Sequence, residues 1–182
     1  VKYESRTKIE LENEADNSEN LAALGTQIPA VAIYAAGAKV RADIPALLTV
    51  AAQYSISPAV RVMGGYHQYF DTDAEGGATA VSKNTWEVNF GAEWDINDKW
   101  LISGGYQRTQ YGFEDADMSD TNFNVSSYAV AIGGAYKFNE TLKLNFGYMH
   151  SFFDEHEVKS ATGSDIYTRK NDAVGLSLDF KF

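Results

Sequence analysis

The side chains best suited to chemistry crowd two polar stretches: Asp154, Glu155, His156 and Glu157 stand in a row, and Asp115, Asp117 and Asp120 lie close together. Carboxylates with an imidazole are ligands for a hard divalent cation. Adjacent residues at a strand end point in opposite directions, so the row of four does not converge on one ion, and both groups read as solvated loop charge. His67 and His150 have no Ser, Cys or Asp at a recognisable spacing, and no GxSxG, Walker or HExxH pattern occurs. A hydrolase built from residues on separate strands stays open, because a linear scan does not see it. Cysteine is absent, which removes thiolate metal sites, disulfides and cysteine nucleophiles. The expectation is no catalytic residue, no metal and no cofactor.

Composition narrows the partners. A net charge of −10 and a pI near 4.7 argue against nucleic acid, whose phosphates need clustered Lys and Arg. No run of ~18 apolar residues is present, so no membrane-spanning helix is available. The 182 residues suit a single domain, 1–182, or a single barrel. The chain opens on Val1 without a signal peptide, and we expect either a removed leader or a longer chain.

The elements that would position these residues are strands. In "WEVNFGAEWDI", Trp86, Val88, Phe90, Ala92, Trp94 and Ile96 alternate with Glu87, Asn89, Gly91, Glu93 and Asp95, and such alternation gives a strand one apolar face. The pattern recurs, and we expect eight antiparallel strands at 2–13, 39–55, 59–71, 85–96, 100–112, 126–138, 142–154 and 165–182. Short turns at "SISP" (55–58), "NDK" (97–99) and "FNET" (138–141) take turns with long polar loops at 71–84, 113–124 and 154–165. Tyr66, Tyr106 and Tyr148, each after a glycine, are spaced 40 and 42 apart, as are Ser57, Asn97 and Asn139. A propeller blade has a similar period, but needs four short strands where this repeat holds two long ones.

Alternation alone does not say which face meets water. Trp86 and Trp94 lie about 25 Å apart at ~3.3 Å per residue, which matches the apolar band between the aromatic girdles of an outer-membrane barrel. Tyr66, Tyr106, Tyr148, Phe180 and Phe182 extend the girdles. The opposite faces carry Glu87, Glu93 and Asp95, and on the first strand Lys2, Glu4, Arg6, Lys8 and Glu10, as suits a polar lumen. A soluble sandwich or lipocalin-like binder has no reason to sort short turns from long loops. The expected class is therefore an all-β, antiparallel, up-and-down transmembrane β-barrel in the outer membrane, with lipid as a partner. "VGLSLDFKF" (174–182) resembles the terminal strand read by the barrel assembly machinery, with Ser177 where glycine is common.

The segment 14–38 reads as an extracellular loop, yet it carries Leu21, Leu24, Ile28, Val31, Ile33 and Tyr34. Each such side chain left in water forfeits ~1.5–3 kcal/mol. They cap the barrel mouth or bind a hydrophobic small-molecule substrate. Gly64, Gly65, Gly104, Gly105, Gly133, Gly134 and Gly147 stand at mid-strand, where glycine marks a close approach or a bend. We expect tyrosine rings of neighbouring strands to lie across them, with a lateral gate as the other reading.

The phrases "ADIPALLTVAAQYSISPAVRVMGGYHQYFD" (42–71), "NTWEVNFGAEWDINDKWLISGGYQRTQYG" (84–112) and "IGGAYKFNETLKLNFGYMHSFFD" (132–154) resemble the C-terminal half of the FadL-type outer-membrane transport proteins for long-chain fatty acids and other hydrophobic compounds. The resemblance implies a fourteen-stranded barrel with an N-terminal hatch, of which these would be the last eight strands. It implies passive uptake, with capture at extracellular loops and sideways release into the membrane. It also assigns 14–38 to a hydrophobic capture groove. The family's asparagine-proline-alanine opening is absent here. A compact eight-stranded structural or adhesive barrel is the alternative.

Overall fold

The computed structural model describes residues 1–14, 34–76, 81–114, 118, 124–160 and 163–181. Its strands are β1 (Lys2–Glu4), β2 (Glu10–Glu12), β3 (Lys39–Arg41), β4 (Ala46–Ser57), β5 (Val60–Phe70), β6 (Trp86–Asp95), β7 (Trp100–Gln110), β8 (Ser127–Lys137), β9 (Leu142–Phe153), β10 (His156–Ser160), β11 (Gly163–Tyr167) and β12 (Lys170–Phe180). Eight of them form one antiparallel sheet in the order β1-β4-β5-β6-β7-β8-β9-β12, with β1 and β12 as its edges. The up-and-down order is the one expected.

Three boundaries differ from the sequence expectation. The first strand divides into β1 and β2, and the second into β3 and β4, with Thr7 and Ile44 joined by a single bridge between them. Pro45 lacks the N–H a ladder needs. The polar segment 154–165 is largely a second hairpin, in which His156 faces Tyr167 and Glu157 faces Ile166, and the last long strand starts only at Lys170.

Each short turn is closed by one side chain at the repeating position. Asn97 Oδ1 accepts the N–H of Lys99 at 2.9 Å and of Trp100 at 3.0 Å, and Asn139 Oδ1 accepts those of Thr141 and Leu142 at 2.8 Å. Ser57 Oγ does the same for Ala59 and Val60 at 3.3 and 3.1 Å. The 40- and 42-residue spacing is thus a spacing of turn locks.

Register turns the tyrosine repeat into geometry. The hydrogen-bonded row through Tyr66 reaches β7 at Arg108, two residues beyond Tyr106, and the row through Tyr106 reaches β9 at His150, two residues beyond Tyr148. The tyrosine line therefore falls by two residues, about 6.6 Å, for every two strand spacings, about 9.6 Å. That is an inclination of about 35°, at the edge of the ~35–45° strand tilt of transmembrane barrels.

The molecule is inside out. Among the described residues only Ala46, Val125 and Ala135 are buried apolar side chains, whereas Tyr54, Phe90, Trp94 and Ile132 are 70, 60, 50 and 69% exposed. Glu87, Glu93 and Asp95, on the opposite face, are half-buried. At ~1.5 kcal/mol or more for each large apolar group left in water, this surface would cost more than the ~5–15 kcal/mol that stabilises an ordinary domain. A hydrocarbon surround removes that cost.

Beyond the ends of the long strands, Asp43 ties three segments together. Its buried carboxylate accepts the Ile9 N–H at 3.1 Å, the Glu75 N–H at 3.3 Å and the Arg41 guanidinium at 2.6 Å, with Arg6 Nε 3.8 Å away. Burial pushes this carboxyl up, but the Arg41 side chain and the two amides outweigh it and hold the group below the ordinary carboxylate range. A depressed folded value means that this stabilisation is complete above the unfolded value of about 4 and is lost as pH falls through the folded one. Hydrogen exchange at the Ile9 and Glu75 amides, measured relative to the intrinsic rate at each pH, should therefore stay slow at neutral pH and quicken only below about pH 4. Asp43→Asn should quicken it at neutral pH.

Candidate functional site: the concave face

Side chains alternate between an exposed face and a concave one, and β-pairing sorts the concave side chains into rows. One row runs Gln53, Met63, Gly91, Gly105, Ala131, Met149, Ala173, and the next runs Ser55, Arg61, Glu93, Ser103, Gly133, Gly147, Gly175. From β6 to β12 these rows hold almost only Gly, Ala and Ser, so the wall there is nearly bare backbone. A cavity of about 620 Å³ lies over it, bounded by Met63 and Met149.

Polar groups flank this band. Towards the long loops, Glu87 accepts Thr109 Oγ1 at 2.9 Å and Gln107 Nε2 at 3.3 Å on one oxygen, and the Tyr69 hydroxyl at 3.2 Å on the other. His67 lies opposite Glu87, with Nδ1 3.2 Å from Thr49 Oγ1. Towards the short turns, Arg61 pairs with Glu93 at 3.0 Å and Asp95 at 2.7 Å, and Lys143 with Asp179 at 3.2 Å. A second cavity of about 340 Å³ sits at the loop end, lined by Tyr69, Asp71, Val81, Thr85, Glu87, Tyr111, Phe113 and Asn124.

The expected girdle residues Tyr66, Trp94, Tyr106, Tyr148 and Phe180 are all on the exposed face, and Trp86 is half-buried there opposite Gln68 and Gln110. Phe182 lies outside the described residues, as do Leu21, Leu24, Ile28, Val31, Ile33, Asp115, Asp117 and Asp120; Tyr34 is exposed. Sequence reading missed two ring clusters on the same face. Tyr128 stacks on Phe152 at 4.8 Å and lies near Tyr106 at 6.3 Å; at the other end Trp100 and Phe138 flank Tyr136 at 4.6 and 4.9 Å. All of them fall in the alternation phase that marked the tyrosines.

The structure gives His150 a partner that spacing hid: Asp172 lies 2.6 Å away and also accepts the Tyr148 hydroxyl at 2.5 Å. The third group is thus a tyrosine, on the exposed face. In the acidic row, Asp154 pairs with Arg108 at 3.0 Å while His156 is buried on the side hairpin. Among the described residues no three metal-ligating side chains come together.

The rings over mid-strand glycines are phenylalanines, not tyrosines. Phe90 faces Gly64 and Phe146 faces Gly134, whereas Tyr66, Tyr106 and Tyr148 face Val88, Val130 and Val174. A Cβ on Gly134 would stand 2.9 Å from the Phe146 ring and 2.7 Å from the Leu101 carbonyl; one on Gly147 would meet only the Ile132 carbonyl, at 3.7 Å.

A sequence profile of the Gram-negative porins matches residues 4–156, and the chain belongs to that family. It is an outer-membrane β-barrel chain. Among solved structures it is similar to a Pseudomonas aeruginosa FadL homologue, at 18% identity and a TM-score of 0.67, over 98% of this chain and 47% of that one. It is similar also to the Pseudomonas putida toluene transporter TodX, at 16% identity and a TM-score of 0.52, over 81% and 39%. A TodX mutant described as a monoaromatic hydrocarbon channel matches at 14% identity and a TM-score of 0.56, over 79% of this chain and 39% of that one. The chain spans about half the length of the FadL homologue or less of these neighbours. No curated protein matches it. The fold likeness agrees with the resemblance carried by the strand phrases.

Gly134→Val should destabilise the folded barrel by about 1–3 kcal/mol through overpacking. Gly147→Ala should cost well under half of that, because the concave side is open at that point. Urea titration of the refolded protein in lipid vesicles measures both.

Proposed function

We propose that this chain forms wall of an outer-membrane channel that passes hydrophobic small molecules by passive diffusion. The observation that carries the reading is the bare band between Met63 and Met149. A hydrophobic solute sliding over glycine and alanine meets few bulky side chains and a single carboxylate, Glu93, which Arg61 pairs, while polar groups at both ends keep the lumen wet. A closed eight-stranded structural barrel would need its interior filled with side chains, and glycine fills nothing. Long-chain fatty acids are the substrate class implied by the FadL-type resemblance.

In this reading Tyr66, Trp86, Trp94, Tyr106, Tyr148, Phe180 and Phe182 are the membrane-facing girdle and meet outer-membrane lipid. Leu21, Leu24, Ile28, Val31, Ile33 and Tyr34 capture substrate from outside, and the strand 174–182 is presented to the barrel assembly machinery. A fourteen-stranded whole accounts for a sheet whose edge strands, β1 and β12, have no further partner among the described residues.

Gly147→Phe is expected to keep the heat-modifiable, folded form on gels yet cut uptake of labelled toluene and decanoate several-fold in cells. Full uptake through a folded Gly147→Phe barrel would overturn the reading. Replacing Ile28 and Ile33 with Asp should lower uptake of a labelled fatty acid while leaving assembly intact; unchanged uptake counts against the capture role.

A further inference from the structure

The loop-end cavity has a chemistry that the bare band lacks. Its rings, Tyr69, Tyr111 and Phe113, offer flat apolar surfaces, and its charged groups, Glu87 and Asp71, are both carboxylates. Neither Lys nor Arg is among its described lining residues. We propose that this cavity is a binding site for small uncharged aromatic compounds that carry a hydroxyl donor, of the phenol class, and that it disfavours carboxylate ligands.

The first argument is acceptor capacity. Glu87 is held in place by three donors, Thr109, Gln107 and Tyr69. A carboxylate offers about four lone-pair sites, so one remains for a ligand hydroxyl, and a hydrogen bond to an ionised acceptor is roughly twice as strong as a neutral one. The second argument is repulsion. A fatty acid or benzoate anion would bring a third negative charge beside Glu87 and Asp71 in a partly dehydrated space, where like charges repel far more than in water. The third is size. About 340 Å³ stands at the small end of the roughly 300–1,000 Å³ range of ligand pockets, which suits one or two rings.

The neighbouring groups do not undo this. Asp71 receives the Thr85 N–H at 2.7 Å and Thr85 Oγ1 receives the Gly112 N–H at 3.1 Å, so these polar groups brace the wall. His67 is the nearest imidazole, one strand away opposite Glu87 and directed to Thr49.

The proposal rests on the uptake reading and narrows its substrate class. The test is calorimetric titration of the full-length protein in detergent at neutral pH with three ligands of one shape: 4-methylphenol, toluene and 4-methylbenzoate. 4-Methylphenol should bind about tenfold tighter than 4-methylbenzoate, with toluene between them, and Glu87→Gln should shrink that ratio to about threefold. Equal or tighter binding of 4-methylbenzoate by the unaltered protein overturns the proposal without any variant, and so does a folded Glu87→Gln protein that keeps the full ratio. Labelled-toluene uptake separates the two readings: uptake that persists without hydroxyl preference sinks only the site, whereas a protein that binds 4-methylphenol selectively but passes no toluene sinks the channel.

Discussion

The constraint on which this structure depends is that every backbone N–H and C=O within hydrocarbon must find a partner in the sheet itself. Without water at the exposed face, an unpaired group costs several kcal/mol, and no apolar core stands behind the sheet to offset it. The long strands answer with ladders of about ten pairs from β4 to β12, broken only by a register shift between Ser55 and Ser57 at the short-turn end of β4. The other irregular features lie beyond those ladders: the bridge at Thr7 and Ile44, Pro45, the side hairpin and the Asp43 knot. There side chains or water can satisfy what the ladder does not.

Once the ladder is continuous, its inclination follows from small increments of sequence. Each hairpin and its loop advance the pattern by 40 or 42 residues, so tyrosines that stand at the same point of successive strands descend obliquely across the hydrogen-bonded rows. A level surface, such as a membrane boundary, must cut a tilted sheet in this way. The polar residue that follows each tyrosine by two, Gln68, Arg108 and His150 in turn, descends with it. The aromatic and polar limits of the exposed face therefore stay parallel.

The same register shapes the concave face. Glycines that weaken any one strand become useful when pairing sets them side by side, because together they leave a smooth wall that side chains would obstruct. Two of them, Gly64 and Gly134, serve the exposed face instead, where Phe90 and Phe146 lie over them. Charge lies towards the ends of the wall: at the short turns it is paired, as at Arg61 with Glu93 and Asp95, and at the loop end the Glu87 carboxylate is held by neutral donors. A charge without donors would be costly there.

Strand identity, the inside-out faces and the turn locks at Ser57, Asn97 and Asn139 were legible from sequence because they are local: a two-residue period and a side chain that caps its own turn need no distant partner. Rows are not local. That Gly91, Gly105 and Ala131 adjoin one another, and Gly133, Gly147 and Gly175 likewise in the next row, depends on the pairing of five strands, and a slip of one residue would turn each side chain to the other face. The Asp43 knot, the His150–Asp172 pair and the acid-and-aromatic cavity around Glu87 join residues far apart in the chain and belong to the tertiary structure alone. The hairpin in 154–165 escaped sequence reading because its composition is that of a loop; it forms a separate two-stranded sheet whose pairing, His156 with Tyr167, is one residue out of step with that of Phe152 and Lys170 in β9 and β12.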